Sequence, residues 1–503
     1  MKKERQEIFA KENILNIGII SVLFLMNWVY HAKYMHNPRV LYSDELEGFS
    51  TLVLNHDTTL LQKIFGTEVI RPIPRSIYLI LFQIGKTFEN YSLINYVLLF
   101  ANFGVAVVVY RITYALAETE NDKIRYLLGL GTGILYTVSR FMQCQIFSIL
   151  GIMEDIAQAA VLLMFYEMVQ YIKKSDEKAF WKVLIFWILA FLSHERYFVL
   201  ILAIDLVVLI KKEKMAKKIS GLAVTTVIAS VYLCCRIKIL GNNMLRGTGA
   251  SNVSETFSIG TFVKSMLKQV AYILGINTQE ATRSGINYRD VPGAVNIVIV
   301  VGIFFTFYLL VNYLICRWRK KDIAVIIIGG SVMMCCIAAS SVTTAVALRF
   351  VYVSYSLWLI LMAYMVSCIL NSTADIKRFW VRNIAICYFF SAFILDNYYG
   401  TTIKNLGLMT EKNMCESLYN VTIGYYKEQM KNASLIVIVQ RPDITEEWYT
   451  NHLIPYMSMD NVTVKVVHTV EEAKKLGKPG NIVIYEDPVK LCYTDVTRMV
   501  IQQ

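Results

Sequence analysis

Ile14–Tyr30 reads ILNIGIISVLFLMNWVY, an uncharged run, and about ten residues later Leu41–Ser50 reads LYSDELEGFS, with Asp44, Glu45 and Glu47 close together. The first stretch is long enough to cross a hydrocarbon core of ~30 Å with a residue rise of ~1.5 Å. The second opens a long polar loop just outside that span. Comparable apolar runs recur along the chain, so most of it reads as membrane helix and the acidic stretch stands at the edge of a bundle.

Composition supports this. Apolar residues make up 56% of the 503 residues and charged residues 17%, against about 25% charged in ordinary soluble domains; the mean hydropathy is +0.47. The net charge of +12 does not form a nucleic-acid stripe. It sits in short clusters at alternate span ends (Lys2/Lys3/Arg5, Lys173/Lys174, Lys211/Lys212/Lys214, Arg317/Arg319/Lys320/Lys321, Lys377/Arg378), the positive-inside pattern. The N-terminus is therefore expected in the cytoplasm. The first span has no small-residue cleavage site after it and is expected to stay as a signal anchor.

Eleven spans follow, at about 13–31, 92–116, 126–142, 150–171, 180–193, 197–210, 219–235, 293–315, 323–340, 350–370 and 380–396. They leave two large outer loops, 32–90 and 236–291. Ser76–Gly85 is apolar but too short to span, and reads as a helix lying at the interface; Phe262–Leu274 reads as amphipathic. Residues 397–503 change character: Leu435–Gln440, Val462–His468 and Asn481–Tyr485 read as strands and Glu471–Leu476 as a helical turn. The expected organisation is a transmembrane module over 1–396 and an extracytoplasmic α/β domain over 397–503.

With sides assigned this way, the outer face collects Asp44, Glu45 and Glu47, Arg71 and Arg75 of RPIPR, Glu154/Asp155, His194-Glu195-Arg196 and Arg349. Ionisable groups at a membrane are costly unless solvated, paired or functional, so their convergence is informative. Asp44 reads either as a solvated loop acid or as a general base. Arg349 reads either as a snorkelling helix-end cation or as a fork for phosphate. The His–Glu–Arg trio either caps its hairpin or orients a substrate. Glu154/Asp155 read as acids favoured by a helix N-terminus. No Cys/His ligand spacing appears, and a disulfide between Cys415 and Cys492 stays open.

The acidic pair Asp44-Glu45 soon after the first span, Arg71-Pro72 before an apolar helix, the span-end His194-Glu195-Arg196 and the late-loop Arg349 resemble the GT-C superfamily of integral-membrane glycosyltransferases, over about residues 13–396. The resemblance implies transfer of a sugar from a polyprenyl-phosphate carrier to an envelope glycan, lipid or protein acceptor. Asp44 would be the base, with Glu45 as its substitute. Arg349, Arg196, His194 and Arg71 would stand near the donor phosphate, and Glu47, Glu195 and Arg75 along the substrate loop. No cofactor is required, and a divalent metal is allowed by Asp44/Glu47 but not expected. Three alternatives remain: an envelope-polysaccharide polymerase, which would use Arg246, Arg283 and Arg289; a lipid or solute transporter; and a non-catalytic scaffold.

Overall fold

A computed structural model of the chain describes residues 2–32, 34–35, 39–66, 69–241, 258–278, 285–318, 323–342, 348–372, 375–402, 407–430, 434–439, 444–453, 455 and 462–501. The first half comprises α1 (Lys2–Ala32), α2 (Asp44–Phe49), α3 (Leu60–Phe65), α4 (Pro72–Thr87), α5 (Leu93–Leu116), α6 (Asp122–Thr137), α7 (Gln143–Phe147), α8 (Leu150–Lys173), α9 (Glu177–Ser193) and α10 (Ile201–Ile210). It continues with α11 (Met215–Leu240), α12 (Ile259–Ile273), α13 (Gly293–Trp318), α14 (Ala324–Ser341), α15 (Leu348–Ser372) and α16 (Asp375–Thr402).

Among the described residues, seven helices are long and apolar enough to cross a membrane, within α1, α5, α11, α13, α14, α15 and α16. The protein is an integral membrane protein with an α-helical bundle. The other four expected spans fall on shorter or more polar helices. α6, α9 and α10 have 16, 17 and 10 residues. α8 has 24 residues, but Glu154, Asp155 and Glu167 interrupt it. α8 tolerates these acids because all three are buried against protein; lipid would exact a larger desolvation cost.

The bundle is wrapped around α15, whose apolar window is 94% buried, whereas those of α1, α11 and α13 are 22% buried and form the rim. Helix starts follow local chemistry. Thr59 with Gln62 and Ser258 with Thr261 form capping boxes for α3 and α12, and Pro72 sits at the first position of α4, where its missing N–H costs nothing. The expected interfacial segment at 76–85 is thus the core of a longer helix. The acidic stretch, read as loop, folds into α2, with Asp44, Glu45 and Glu47 in its first turn.

After α16 come α17 (Gly407–Val421), α18 (Ile423–Met430), β1 (Ser434–Ile438), α19 (Glu446–Leu453), β2 (Thr463–Val467), α20 (Val470–Leu476), β3 (Ile482–Asp487), β4 (Cys492–Asp495) and α21 (Thr497–Ile501). The sheet order is β2-β1-β3-β4. β1 is parallel to β2 and β3, with Leu435 opposite Val464 and Ile482, and β4 closes the edge antiparallel to β3. The fourth strand escapes sequence reading because CYTD has only four residues. Cys415 and Cys492 are both free thiols. α17 carries the sheet against the first loop: Cys415 joins the apolar cluster of Leu41, Tyr42, Leu46 and Phe49, and Tyr91 donates a 2.7 Å hydrogen bond to the Pro455 carbonyl.

Candidate functional site

The site is built on a corner. Between α7 and α8 the chain turns so tightly that a Cβ on Gly151 would stand 1.9 Å from the Gln145 carbonyl oxygen. The first loop holds this corner. The Arg39 guanidinium pairs with Glu45 and donates to the Phe147 carbonyl at 2.6 Å; the Tyr42 hydroxyl donates to the same carbonyl. The Ile149 N–H donates to the Glu45 carboxylate at 2.8 Å. Glu45 is 0% exposed and Arg39 3%. This corrects the expectation that Glu45 can substitute for Asp44: its carboxylate is enclosed and engaged as a clamp. Asp44, one residue earlier, is exposed. It follows Ser43, a non-glycine residue held at φ 51°, and such strain persists only where the surroundings enforce it.

One turn beyond the corner, α8 presents Glu154, the node of a chain of charges. Arg196 pairs with it, and the Tyr352 hydroxyl donates to it at 2.6 Å. His194 Nε2 lies 3.8 Å from one Glu154 oxygen, while its Nδ1 lies 3.4 Å from Glu195. Glu195 in turn accepts two 2.6 Å hydrogen bonds from Arg71, the bidentate geometry that arginine favours with carboxylates. Arg196 Nη2 also donates to the Arg349 carbonyl at 3.2 Å and to the Tyr197 hydroxyl at 2.8 Å. Arg71, Glu195, His194, Glu154, Arg196 and Arg349 therefore meet, although they come from the start of α4, the tip after α9, α8 and α15.

The electrostatics give each member a part. Burial and then the Arg196 charge lower His194 to about 4, so it is neutral near pH 7 and spaces the two carboxylates rather than presenting charge to a phosphate. Burial alone would raise Glu195, but the Arg71 charge holds it well below the usual carboxylate range. The buried Tyr78 hydroxyl on α4 lies in the field of Arg71, Glu154 and Asp44 together. The Arg349 charge acts on Glu154, and its guanidinium lies over Phe350 at 5.4 Å. Arg196 Nη1 is buried with no hydrogen-bond partner among the described residues.

The remaining expected residues are placed differently. Arg75 donates to the Lys63 carbonyl at 2.7 Å and ties α4 to α3, which gives it an anchoring part in place of a substrate-loop one. Glu47 is exposed on α2. Arg289 is exposed beside Tyr288; Arg246 and Arg283 lie outside the described residues. Among the described residues no three His, Cys, Asp or Glu side chains form a group able to hold a metal.

Glu154, expected as an acid favoured by a helix N-terminus, is the fifth residue of α8, past the first turn where that effect acts. A charge inside an apolar run is the usable signal. Sequence reasoning misses Glu411 of α17, which hydrogen-bonds Ser43; burial and the Asp44 charge raise its carboxyl. It misses Arg140 as well, which pairs with Asp396 inside a ring of Phe141, Tyr272, Tyr355 and Tyr399.

No family profile matches the chain, and no curated protein matches it. Ten chains of solved structure match. Among them is the crystal structure of ArnT from Cupriavidus metallidurans bound to undecaprenyl phosphate, similar at 10% identity over 94% of this chain and 93% of that one, with a TM-score of 0.44.

Proposed function

We propose that the protein is a membrane glycosyltransferase that moves a sugar from a polyprenyl-phosphate carrier to an envelope acceptor. The observation that carries this reading is the buried Nη1 of Arg196, without a hydrogen-bond partner among the described residues and placed beside Arg349 in a membrane protein. A buried N–H group without an acceptor is costly, and the phosphate of a lipid-linked donor would supply that acceptor.

In this reading the acceptor hydroxyl gives its proton to Asp44 and its oxygen attacks the anomeric carbon. The bond from that carbon to the phosphate oxygen breaks, and the phosphate leaves with the electron pair, stabilised by Arg196 and Arg349. Arg71, His194 and Glu195 are positioning residues that hold Glu154 and Arg196. The transmembrane module is residues 1–396 and the appended α/β domain 397–503. The N-terminus lies in the cytoplasm, and the site and the C-terminal domain lie outside. The sugar donor and the positive-inside pattern agree with this sidedness.

The test is transfer of radiolabel from polyprenyl-phosphate sugars in membranes holding wild-type protein or Asp44→Asn. Transfer by the wild type and none by the folded variant supports the reading; equal transfer removes Asp44 from it. A transporter reading draws on one observation. Asn102, Tyr136, Gln158 and Ser356 form a buried hydrogen-bonded string inside the bundle, with Asn102 also reaching Asp155, and buried polar residues of this kind mark transport paths. Label that crosses the membrane unchanged would favour transport.

A further inference from the structure

A groove of about 1000 Å³ runs between α6 and α16, with Val366 and Leu370 of α15 as its floor. It is separate from the charged site: Arg349 begins α15, and the floor lies ~25–30 Å further along that helix at ~1.5 Å per residue. The walls are apolar, formed by Leu127, Gly131 and Ile134 on one side and Ile386, Phe389 and Phe393 on the other. Leu127, Ile386 and Phe390 are exposed, so the groove opens sideways to the surrounding hydrocarbon. A Cβ on Gly131 would meet nothing within 4 Å. The missing side chain leaves open space.

The mouth has a different chemistry. Arg378 and Arg382 stand there with Glu120 and Asn121, leaving an excess of positive charge at the end of the bundle where Lys173 and Arg317 also gather around Glu118. From Asn121 to Ile134 the groove follows α6 for ~20 Å, slightly more than one leaflet of a ~30 Å hydrocarbon core. An apolar slot one leaflet deep with arginines at its rim matches a lipid with an anionic head group, because arginine forks fit phosphate oxygens and basic pockets between membrane helices select acidic head groups.

We infer that this groove binds an anionic phospholipid, one acyl chain lying along α6 and the phosphate held by Arg378 and Arg382. The site is independent of the proposed transfer reaction and would stand if that reading failed.

The experiment is thermal unfolding of the full chain in detergent, titrated separately with phosphatidylglycerol, phosphatidylcholine, undecaprenyl phosphate and inorganic phosphate. Phosphatidylglycerol should raise Tm at roughly tenfold lower concentration than phosphatidylcholine, given two rim cations. The double variant Arg378→Gln/Arg382→Gln should erase that preference while keeping the response to phosphatidylcholine. Gly131→Phe, which fills the groove without touching charge, should remove the response to both phospholipids. Equal responses to the two lipids, an unchanged preference in the double variant, or an unchanged response in Gly131→Phe would each overturn the inference. A shift reproduced by inorganic phosphate would reduce the site to a head-group contact and overturn the acyl-chain assignment. Stronger binding of undecaprenyl phosphate, lost in both variants, would make the carrier lipid the occupant and overturn the phospholipid assignment.

Discussion

Arg140–Asp396 and Arg196–Glu154 are both arginine–carboxylate pairs buried among helices, and they are finished differently. Arg140 uses Nη1 on Asp396 and Nη2 on the Tyr272 carbonyl at 2.7 Å, with only Nε left to the four rings around it. The second Asp396 oxygen accepts from the Tyr355 hydroxyl at 2.6 Å. Arg196 crowds three acceptors onto Nη2 and leaves Nη1 with none among the described residues. The first pair is closed by the protein at both Nη groups and joins α16 to α12 and the turn before α7. The second is closed on one side and open on the other, beside Arg71 and Glu195, whose side chains stay 12% and 16% exposed. A buried charge pair therefore says little by itself about function; the donors left over say more.

The comparison breaks most visibly at Asp44, the proposed base. Asp44→Asn should lower transfer by about 10²–10⁴-fold, the range for a lost general base. As an exposed position it should leave unfolding within about 0.5 kcal/mol of wild type. Assay and thermal unfolding on the same preparation check both halves. Arg140→Gln should do the reverse, costing about 3–5 kcal/mol because Asp396 is left buried and unpaired. Activity per folded molecule should then survive, as read from transfer normalised to the folded fraction.

Acid sharpens the contrast further. His194 is lowered from 6.5 to about 4 in the folded state, so the unfolded chain binds more protons between those values. Its contribution is complete above about pH 6.5 and is lost as pH falls toward 4, by up to ~3 kcal/mol at ~1.4 kcal/mol per pH unit. Glu195, also lowered, adds a loss in the same direction at the acid end. His194→Gln should flatten the profile of Tm against pH in that window, while the wild type falls. The smallest effect is expected at Arg289→Gln: within about 0.5 kcal/mol in stability for an exposed side chain, with transfer close to wild type. A large loss of transfer there would favour the polymerase alternative.

Much of the fold is legible because lipid imposes long uniform apolar runs, and α1, α5, α11 and α13 to α16 follow them. α8 is harder to read as a span because protein covers its acids, and α6, α9 and α10 because they have only 16, 17 and 10 residues. At the site, the outer acids and arginines are visible as charges out of place, and the structure brings five of them together around His194. Their division of labour was not visible. Glu45 and Asp44 are adjacent in sequence, and only Arg39, Phe147 and Ile149 reveal which is enclosed. Glu411 and Arg140 act through residues hundreds of positions away, and no local pattern reports such distances.

The placement of α17 against Ser43 has a consequence for how the molecule is made. Asp44 leaves the ribosome early, and its neighbour Glu411 emerges late. At ~5–20 residues per second, roughly 20–70 s separate the two. Throughout that interval the first loop waits without the helix that covers it, so the growing chain carries its acidic edge uncovered. A nascent protein interrupted just before α17 would hold the bundle helices and lack the contact of Glu411 with Ser43.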